Sequence, residues 1–510
     1  MKIAILGDVG QPVYHVGDEA MTHAAVAELR RRGFDDLLVL SRNPSESRRA
    51  FGTESAPTLS FPWPPAERSV YLDQVLRAAG GDTSALPEAD QAWTFIETLR
   101  RCGALLVAGG GNMNSIYGWL LYERAAAVAV ARRLGLNVVV SGQTLGPDLH
   151  GPDREAARDL LLNAALAGAR EEPSRRLMEE IAGNEAHVVH CLDDASFFSS
   201  EFLAAGEDTA VPDGPFIAAT FGPAHGETDR DAYLDALAGA LDQAAGTTGC
   251  TVVFLPHMAT ARTALFGEEA VSAATNADVD EQMHQDIADR MKTPNRVLLP
   301  IRNAARTAAL TGRAAMVLTS RYHPVVFALD SAVPVVALAP EGYSDVRIRG
   351  ALENWGAGKL ALTLPSLFDG SFAEAAADVW KNRDAVSTYL SRIGDGRRTA
   401  FDRWWDSVAA ALNGQAPAGP AVLPALPAEF PGGLDGDWQD RDAAHRSTFL
   451  PLASALARLR IEHEHLHGHH IQVRRERDDA RAELQGWKNS RTFALLEKLA
   501  PARRILRGRK

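Results

Sequence analysis

Cysteine is scarce in this chain of 510 residues: Cys102, Cys191 and Cys250 are the whole set. An odd, widely spaced trio gives neither a disulfide framework nor a Cys-x-x-Cys metal pair. A reducing compartment, the cytoplasm, suits it. Long uncharged apolar runs are also missing, and none approaches the roughly 18 residues of a membrane span. The opening run, Met1-Lys2-Ile3-Ala4-Ile5-Leu6-Gly7-Asp8, is too short and too soon interrupted for a signal peptide. No Gly-x-Gly-x-x-Gly and no Walker lysine follow the first strand, so nucleotide binding has no fingerprint behind it. Positive charge is lacking from most of the chain. Residues 441–510 hold 16 Lys/Arg and 8 Asp/Glu, whereas the remainder holds 37 and 57, so a tail of +8 is joined to a body of −20. Such a body argues against nucleic acid as a partner, since that needs a basic footprint. The tail suits an anionic membrane surface or plain solvation.

What is present is enough apolar residue, 46%, for sizeable cores, in a pattern of short apolar runs separated by helical stretches. Strands are expected at 2–6, 36–40, 104–108, 137–141 and 187–191, then again at 215–221, 251–255, 296–299, 314–319 and 333–338. Helices are expected at 18–32, 118–134, 153–168, 173–182, 229–245, 279–292, 303–312, 323–330 and 372–412. The Pro-, Ser- and Asp-rich region 52–90 reads as an irregular insertion. This alternation predicts an α/β protein of two Rossmann-like domains facing a cleft, plus a C-terminal helical tail. The expected units are 1–205 and 215–412, joined by a polar hinge at 206–215. A Pro/Gly-rich linker over 413–440 and a basic helical tail over 441–510 follow.

Chemistry-bearing residues gather where strands should end. The most informative group is Thr319-Ser320-Arg321-Tyr322-His323-Pro324, directly after an apolar run. Arginine offers a rigid fork to carboxylate or phosphate, and histidine moves protons near neutral pH. In open α/β sheets ligands sit outside the carboxyl ends of strands. The alternative is a structural pair, with Arg321 bound to a carboxylate and His323 opening a helix. In the first half, Val16-Gly17-Asp18-Glu19 opens a helix, a natural anion site unless Asp18 caps it. Gly109-Gly110-Gly111-Asn112 allows close backbone approach to a ligand, or is a tight turn. Ser141-Gly142-Gln143-Thr144 makes a third such loop, in which Gln143 has donors and acceptors for sugar hydroxyls. Arg170 faces the same edge or makes a surface ion pair with Glu171. Pro256-His257 ends a strand of the second half, as a proton acceptor or as a structural histidine. On the tail, His463, His465, His467, His469 and His470 include i,i+4 pairs, but no cysteine joins them, and a solvated face is favoured over a metal site.

In order and spacing, the motifs Gly17-Asp18-Glu19, Gly109-Gly110-Gly111-Asn112, Gly142-Gln143-Thr144-Leu145-Gly146-Pro147, Arg170-Glu171 with Ser174, Asp193-Asp194, Pro256-His257 and Ser320-Arg321-Tyr322-His323-Pro324 resemble the polysaccharide pyruvyl transferases, over roughly residues 1–360. The resemblance implies a GT-B-like fold. It also implies transfer of a pyruvyl group from phosphoenolpyruvate to a sugar hydroxyl pair of a cell-surface polysaccharide or its lipid-linked precursor. It carries the donor site onto Arg321, His323 and Arg170, with Gly17, Gly109, Gly110, Gly111, Asn112, Gln143 and Ser320 as further binding residues. His323 is then the acid, and Asp18 or His257 the base. No cofactor and no metal are required. Tyr322 departs from the apolar residue common there, and the stretch 259–279 departs as an insertion. The end Gly486-Trp487-Lys488-Asn489-Ser490-Arg491-Thr492-Phe493 resembles tails attached to bacterial glycan-assembly glycosyltransferases. Peripheral contact with the inner face of the cell membrane is the expectation for it. Two other readings stand beside this one: a GT-B nucleotide-sugar glycosyltransferase, and a non-catalytic glycan-assembly scaffold.

Overall fold

The structure is a computed structural model that describes residues 1–202, 211, 213–223, 228–259, 280–416, 423–426, 430–431, 434, 436–490 and 492. The hinge expected at 206–215, the insertion at 259–279, the linker at 413–440 and the Trp487-to-Phe493 motif fall wholly or partly outside these residues.

Two parallel sheets carry the chain. In the first, the strands are β1 (Ile3–Leu6), β3 (Leu37–Ser41), β4 (Glu54–Pro57), β5 (Ala104–Val107), β7 (Asn137–Leu145), β8 (Leu166–Ala169) and β9 (Val188–His190). They lie in the order β4-β3-β1-β5-β7-β8-β9, and β6 (Gly110–Met113) pairs with β7. The second sheet contains β10 (Phe216–Thr220), β11 (Thr251–Phe254), β13 (Arg296–Leu298), β14 (Met316–Thr319), β15 (Val335–Ala339) and β16 (Ala361–Thr363), in the order β13-β11-β10-β14-β15-β16. Apart from β6, each sheet runs outward in both directions from its first strand, the doubly wound arrangement. The strand order reverses between β1 and β5, and again between β10 and β14, and ligands sit at such switch points. The central strands Ile3-Ala4-Ile5-Leu6 and Met316-Val317-Leu318 are buried along their length, as strands covered on both faces by helices must be.

A third, two-stranded sheet joins the halves. Here β2 (Tyr14–His15) pairs antiparallel with β12 (Met258–Ala259), and the Val16 N–H donates to the His257 carbonyl at 3.0 Å. Other bonds cross as well. The Glu19 carboxylate accepts from the Ala304 N–H, and Asn354 Nδ2 donates to the Arg170 carbonyl.

Several elements differ from expectation. The region 52–90 is not irregular: it holds β4 and the helix Ala66–Ala79. The helix expected through 168 ends at Asn163, and Leu166-Ala167-Gly168-Ala169 is a strand. Gly168 is needed there, because a Cβ would lie 2.5 Å from Trp404 and 2.8 Å from Cys191 Sγ. Trp404 belongs to the closing helix Arg383–Leu412, which returns from the second unit to the first. Its indole N–H donates to Ser141 Oγ at 3.0 Å, and Asn137 Nδ2 donates to the Leu412 carbonyl.

The tail does not start as a separate module. The helix Trp438–Lys488 begins inside the second unit. Its Trp438 is 1% exposed and donates to Asp378 Oδ2 at 2.7 Å. Asp442 Oδ1 accepts from the Thr363 N–H, Thr363 Oγ1 and Ser366 Oγ at 2.7, 2.9 and 2.8 Å. Farther along, Gly468 packs on Pro64 and Pro65, and Arg475 pairs with Glu67, so the same helix reaches the first unit. Among the described residues no helix is long and apolar enough to cross a membrane, and no three His, Cys, Asp or Glu side chains gather as for a metal.

Candidate functional site

The two switch points open onto one cavity of about 220 Å³, open to solvent. From the first unit it receives Asp8 after β1, Gly17 and Asp18 at the start of the helix Val16–Arg31, Gly111 and Asn112 of β6, and Tyr117. The second unit contributes Gly222 after β10, Ser320 to His323 after β14, and Glu341, Tyr343 and Arg347 after β15.

Arg321 lies at the start of the helix Tyr322–Asp330. Its Nη2 pairs with Asp280, whose other oxygen accepts from the His257 and Met258 N–H groups at 2.9 and 3.1 Å. Its Nε is buried and has no hydrogen-bond partner among the described residues. Gly222 makes room for it, since a Cβ there would lie 2.7 Å from the guanidinium carbon. Ser320 holds that loop by accepting from the Gly222 N–H at 3.0 Å. His323 packs directly on Gly17, where any Cβ would overlap the imidazole, and its Nε2 is buried with no partner among the described residues. Burial, reinforced by Arg170, Arg347 and His15, holds its pKa well below the ordinary histidine value. The ring is therefore neutral unless an anion joins it.

Asp18 does not cap its helix; the N-cap position is His15, without a side-chain cap bond. Its carboxylate instead faces the cavity, with His15 Nδ1 at 3.7 Å. Burial and the neighbouring Asp8 push its pKa well above the usual carboxylate range. Asp8 is tied on one side to Asn112 Nδ2 at 2.8 Å.

Other expected residues are placed elsewhere. Gly109 donates its N–H to Asp194 Oδ2 at 2.7 Å, and Gly110 is buried in the pairing with β7. Neither lines the cavity; Gly111 does. Gln143 is in the middle of β7, not in a loop. It is fully buried and donates to the carbonyls of Ala108 and Ser141, so no sugar reaches it. Asp194, which also accepts from Ser141 Oγ at 2.6 Å, is raised to about 7 by burial. Arg170 is no surface ion pair: it is 1% exposed and bonded to Thr144, Glu171 and Asp193 at 2.9, 2.9 and 2.6 Å. Only its outer edge reaches the cavity beside Gly111. Its guanidinium stacks 4.2 Å from the centre of the Tyr322 ring, which accounts for tyrosine at that position. His257 borders the cavity, but both its ring nitrogens are buried with no partner among the described residues, and burial lowers its pKa to about 3. A nitrogen so weakly basic is a poor proton acceptor at neutral pH.

Arg347 and Tyr343 were not anticipated. Both lie on the helix Gly342–Asn354 that follows β15, four residues apart and thus on one face. The Tyr343 hydroxyl donates across the cleft to the Gly111 carbonyl. Arg347 stacks 3.8 Å from the Tyr343 ring centre, and its Nε is buried without a partner. Their position just beyond a strand's carboxyl end was the available signal; no motif marks them.

Two doubly wound sheets sharing one cleft define the GT-B class of fold. Solved structures have the same architecture. The UDP-GlcNAc 2-epimerase from Neisseria meningitidis bound to UDP-GlcNAc aligns at TM-score 0.50 and 11% identity, over 76% of this chain and 94% of that one. A putative UDP-N-acetylglucosamine 2-epimerase from Listeria monocytogenes aligns at TM-score 0.52 and 10% identity, over 82% and 98%. Within that class, a family model described as polysaccharide pyruvyl transferase matches residues 15–342, and the chain belongs to that family. No curated protein matches the chain.

Proposed function

We propose that the protein transfers the pyruvyl group of phosphoenolpyruvate to two hydroxyls of a glycan acceptor, forming a pyruvate ketal. The observation that carries this reading is that Arg321, Arg347, the edge of Arg170 and His323 line one cavity, with buried guanidinium nitrogens on Arg321 and Arg347 that have no hydrogen-bond partner among the described residues. Phosphoenolpyruvate carries a phosphate and a carboxylate on one small frame, and it needs more than one planar cationic fork.

Ketal formation adds both hydroxyl oxygens to C2 of the donor and expels inorganic phosphate. Of the two protons that the hydroxyls release, one ends on C3, converting the methylene to a methyl group, and the other leaves with phosphate. His323 supplies the proton to C3 after the donor's negative charge has made it basic enough to carry one. Asp18, on the opposite wall, takes the hydroxyl proton; a carboxylate with a raised pKa is a stronger base than an ordinary one. Gly17 keeps these two walls close. No cofactor or metal enters this scheme.

The test compares donors. Phosphoenolpyruvate is expected to raise the melting temperature and to release phosphate only when a glycan acceptor is present. Stabilisation by UDP-GlcNAc with no response to phosphoenolpyruvate would overturn the reading in favour of nucleotide-sugar chemistry.

A further inference from the structure

One row of stacked groups leads from solvent to the reacting histidine. Trp119, 38% exposed, stands at the outer end. Its ring centre is 5.8 Å from that of Tyr117, which is 5.9 Å from that of Tyr343 across the cleft. Tyr343 stacks on Arg347, and the Arg347 guanidinium lies 5.7 Å from the Tyr322 ring. Tyr322 in turn meets His323 at 5.1 Å between ring centres. The row therefore draws on both halves of the molecule and ends at the proposed proton donor.

We propose that the outer part of this row, Trp119, Tyr117 and the rim of Tyr343, is the track on which the acceptor glycan lies; this rests on the transferase reading given above. Trp119 stands outside the cavity lining and meets the cleft through Tyr117, so its indole extends the aromatic row from the cavity toward solvent. Successive rings here are not parallel: the interplanar angles are 81° and 59°. Bases stack face to face on aromatic side chains, and no two neighbouring rings of this row form a parallel slot for one. A pyranose needs only one aromatic face for its axial C–H bonds, and its hydroxyls need polar groups at the edge. Glu341 and Ser344 supply these at the inner end, where Ser344 Oγ donates to Glu341 Oε1 at 3.4 Å. Arg68 braces the outer end, its guanidinium 5.9 Å from the Trp119 ring centre. A lipid chain would find this rim too polar. A sugar residue seated on Tyr117 would present its neighbour to Arg347 and His323.

The experiment uses the full chain and β-1,4-linked gluco- and galacto-tetraoses as probes. Saturation-transfer NMR should show contacts to axial sugar protons for at least one probe. Trp119→Ala and Tyr117→Ala should abolish them, and Tyr117→Phe should retain them. Trp119→Ala should still unfold in one cooperative transition, since its side chain is 38% exposed and outside the core. In the transfer assay, Trp119→Ala should raise KM for the acceptor about tenfold with kcat nearly unchanged, the mark of lost uniform binding. The melting-temperature shift with phosphoenolpyruvate should persist. Binding of neither probe, equal binding in wild type and Trp119→Ala, or displacement of the probe from Trp119 by uridine alone would overturn the track. Probe binding that depends on Trp119, without any pyruvyl transfer, would sustain the track and count against the donor reading. Transfer with a KM indifferent to Trp119 would do the reverse.

Discussion

A histidine surrounded by guanidinium groups in a buried site holds no proton of its own accord. For His323 this has a measurable sign. The free protein keeps the ring neutral because burial, Arg170 and Arg347 all disfavour the imidazolium. A bound donor bearing a phosphate and a carboxylate would reverse that balance, so donor binding should take up a proton. Calorimetry in buffers of different ionisation enthalpy should show this uptake above the depressed free-state pKa, and affinity should rise as pH falls. His323→Gln should remove that part of the uptake, leaving only the ligand's own titration. Arg347 permits a second residue-scale test. Arg347→Ala should lower kcat/KM for phosphoenolpyruvate about 30- to 100-fold, as expected for a lost charge-assisted contact worth ~2–3 kcal/mol. Arg347→Lys should restore only part of it, because a lysine keeps the charge but loses the planar stack on Tyr343. At this scale the sequence put Arg321 and His323 together at one strand end, and there both line the cavity. It did not disclose Arg347, whose importance comes from the packing of a helix against the cleft. It overstated Gln143 and Arg170, because a polar residue near a glycine loop looks the same in sequence whether it faces a ligand or a buried carbonyl.

Elements were legible where their residues matched a single period. The apolar runs at β1, β5, β10, β11 and β14 appear in the structure within a residue or two of expectation. The strand β8 was not legible, because Leu-Ala-Gly-Ala has neither β-branched side chains nor alternation, and its glycine is explained by Cys191 and by Trp404 arriving from residues far along the chain. The helix Ala66–Ala79 was hidden by the prolines and serines that precede it. The tail helix was legible as a helix but not as a part of the second unit. Its attachment turns on Asp442, which gathers three donors from Thr363 and Ser366. Asp442→Ala leaves those donors without their acceptor and should lower the unfolding free energy by about 1.5–3 kcal/mol in chemical denaturation. Asp442→Asn should lose less, since the amide keeps one accepting oxygen.

At the scale of the whole molecule, two doubly wound units were foreseeable from the repeat of strand and helix, and the cleft followed from the rule that ligands sit at switch points. The crossing elements were not foreseeable. The closing helix Arg383–Leu412 returns to the first sheet, the tail helix spans from the second unit to the first, and two residues from each half pair as β2 and β12. Each depends on contacts between residues hundreds of positions apart, for which local pattern gives no signal. The pairing of Tyr14–His15 with Met258–Ala259 has a kinetic reading. An amide engaged in a hydrogen bond exchanges with deuterium only when that bond opens. The Val16 amide, held by the His257 carbonyl, therefore serves as a clock on the clasp between the halves. Its exchange should slow when phosphoenolpyruvate is bound and quicken after product leaves, while amides of the central strand β1 keep one rate throughout. Exchange at Val16 would then time the opening of one crossing among several, separately from those made by the closing and tail helices.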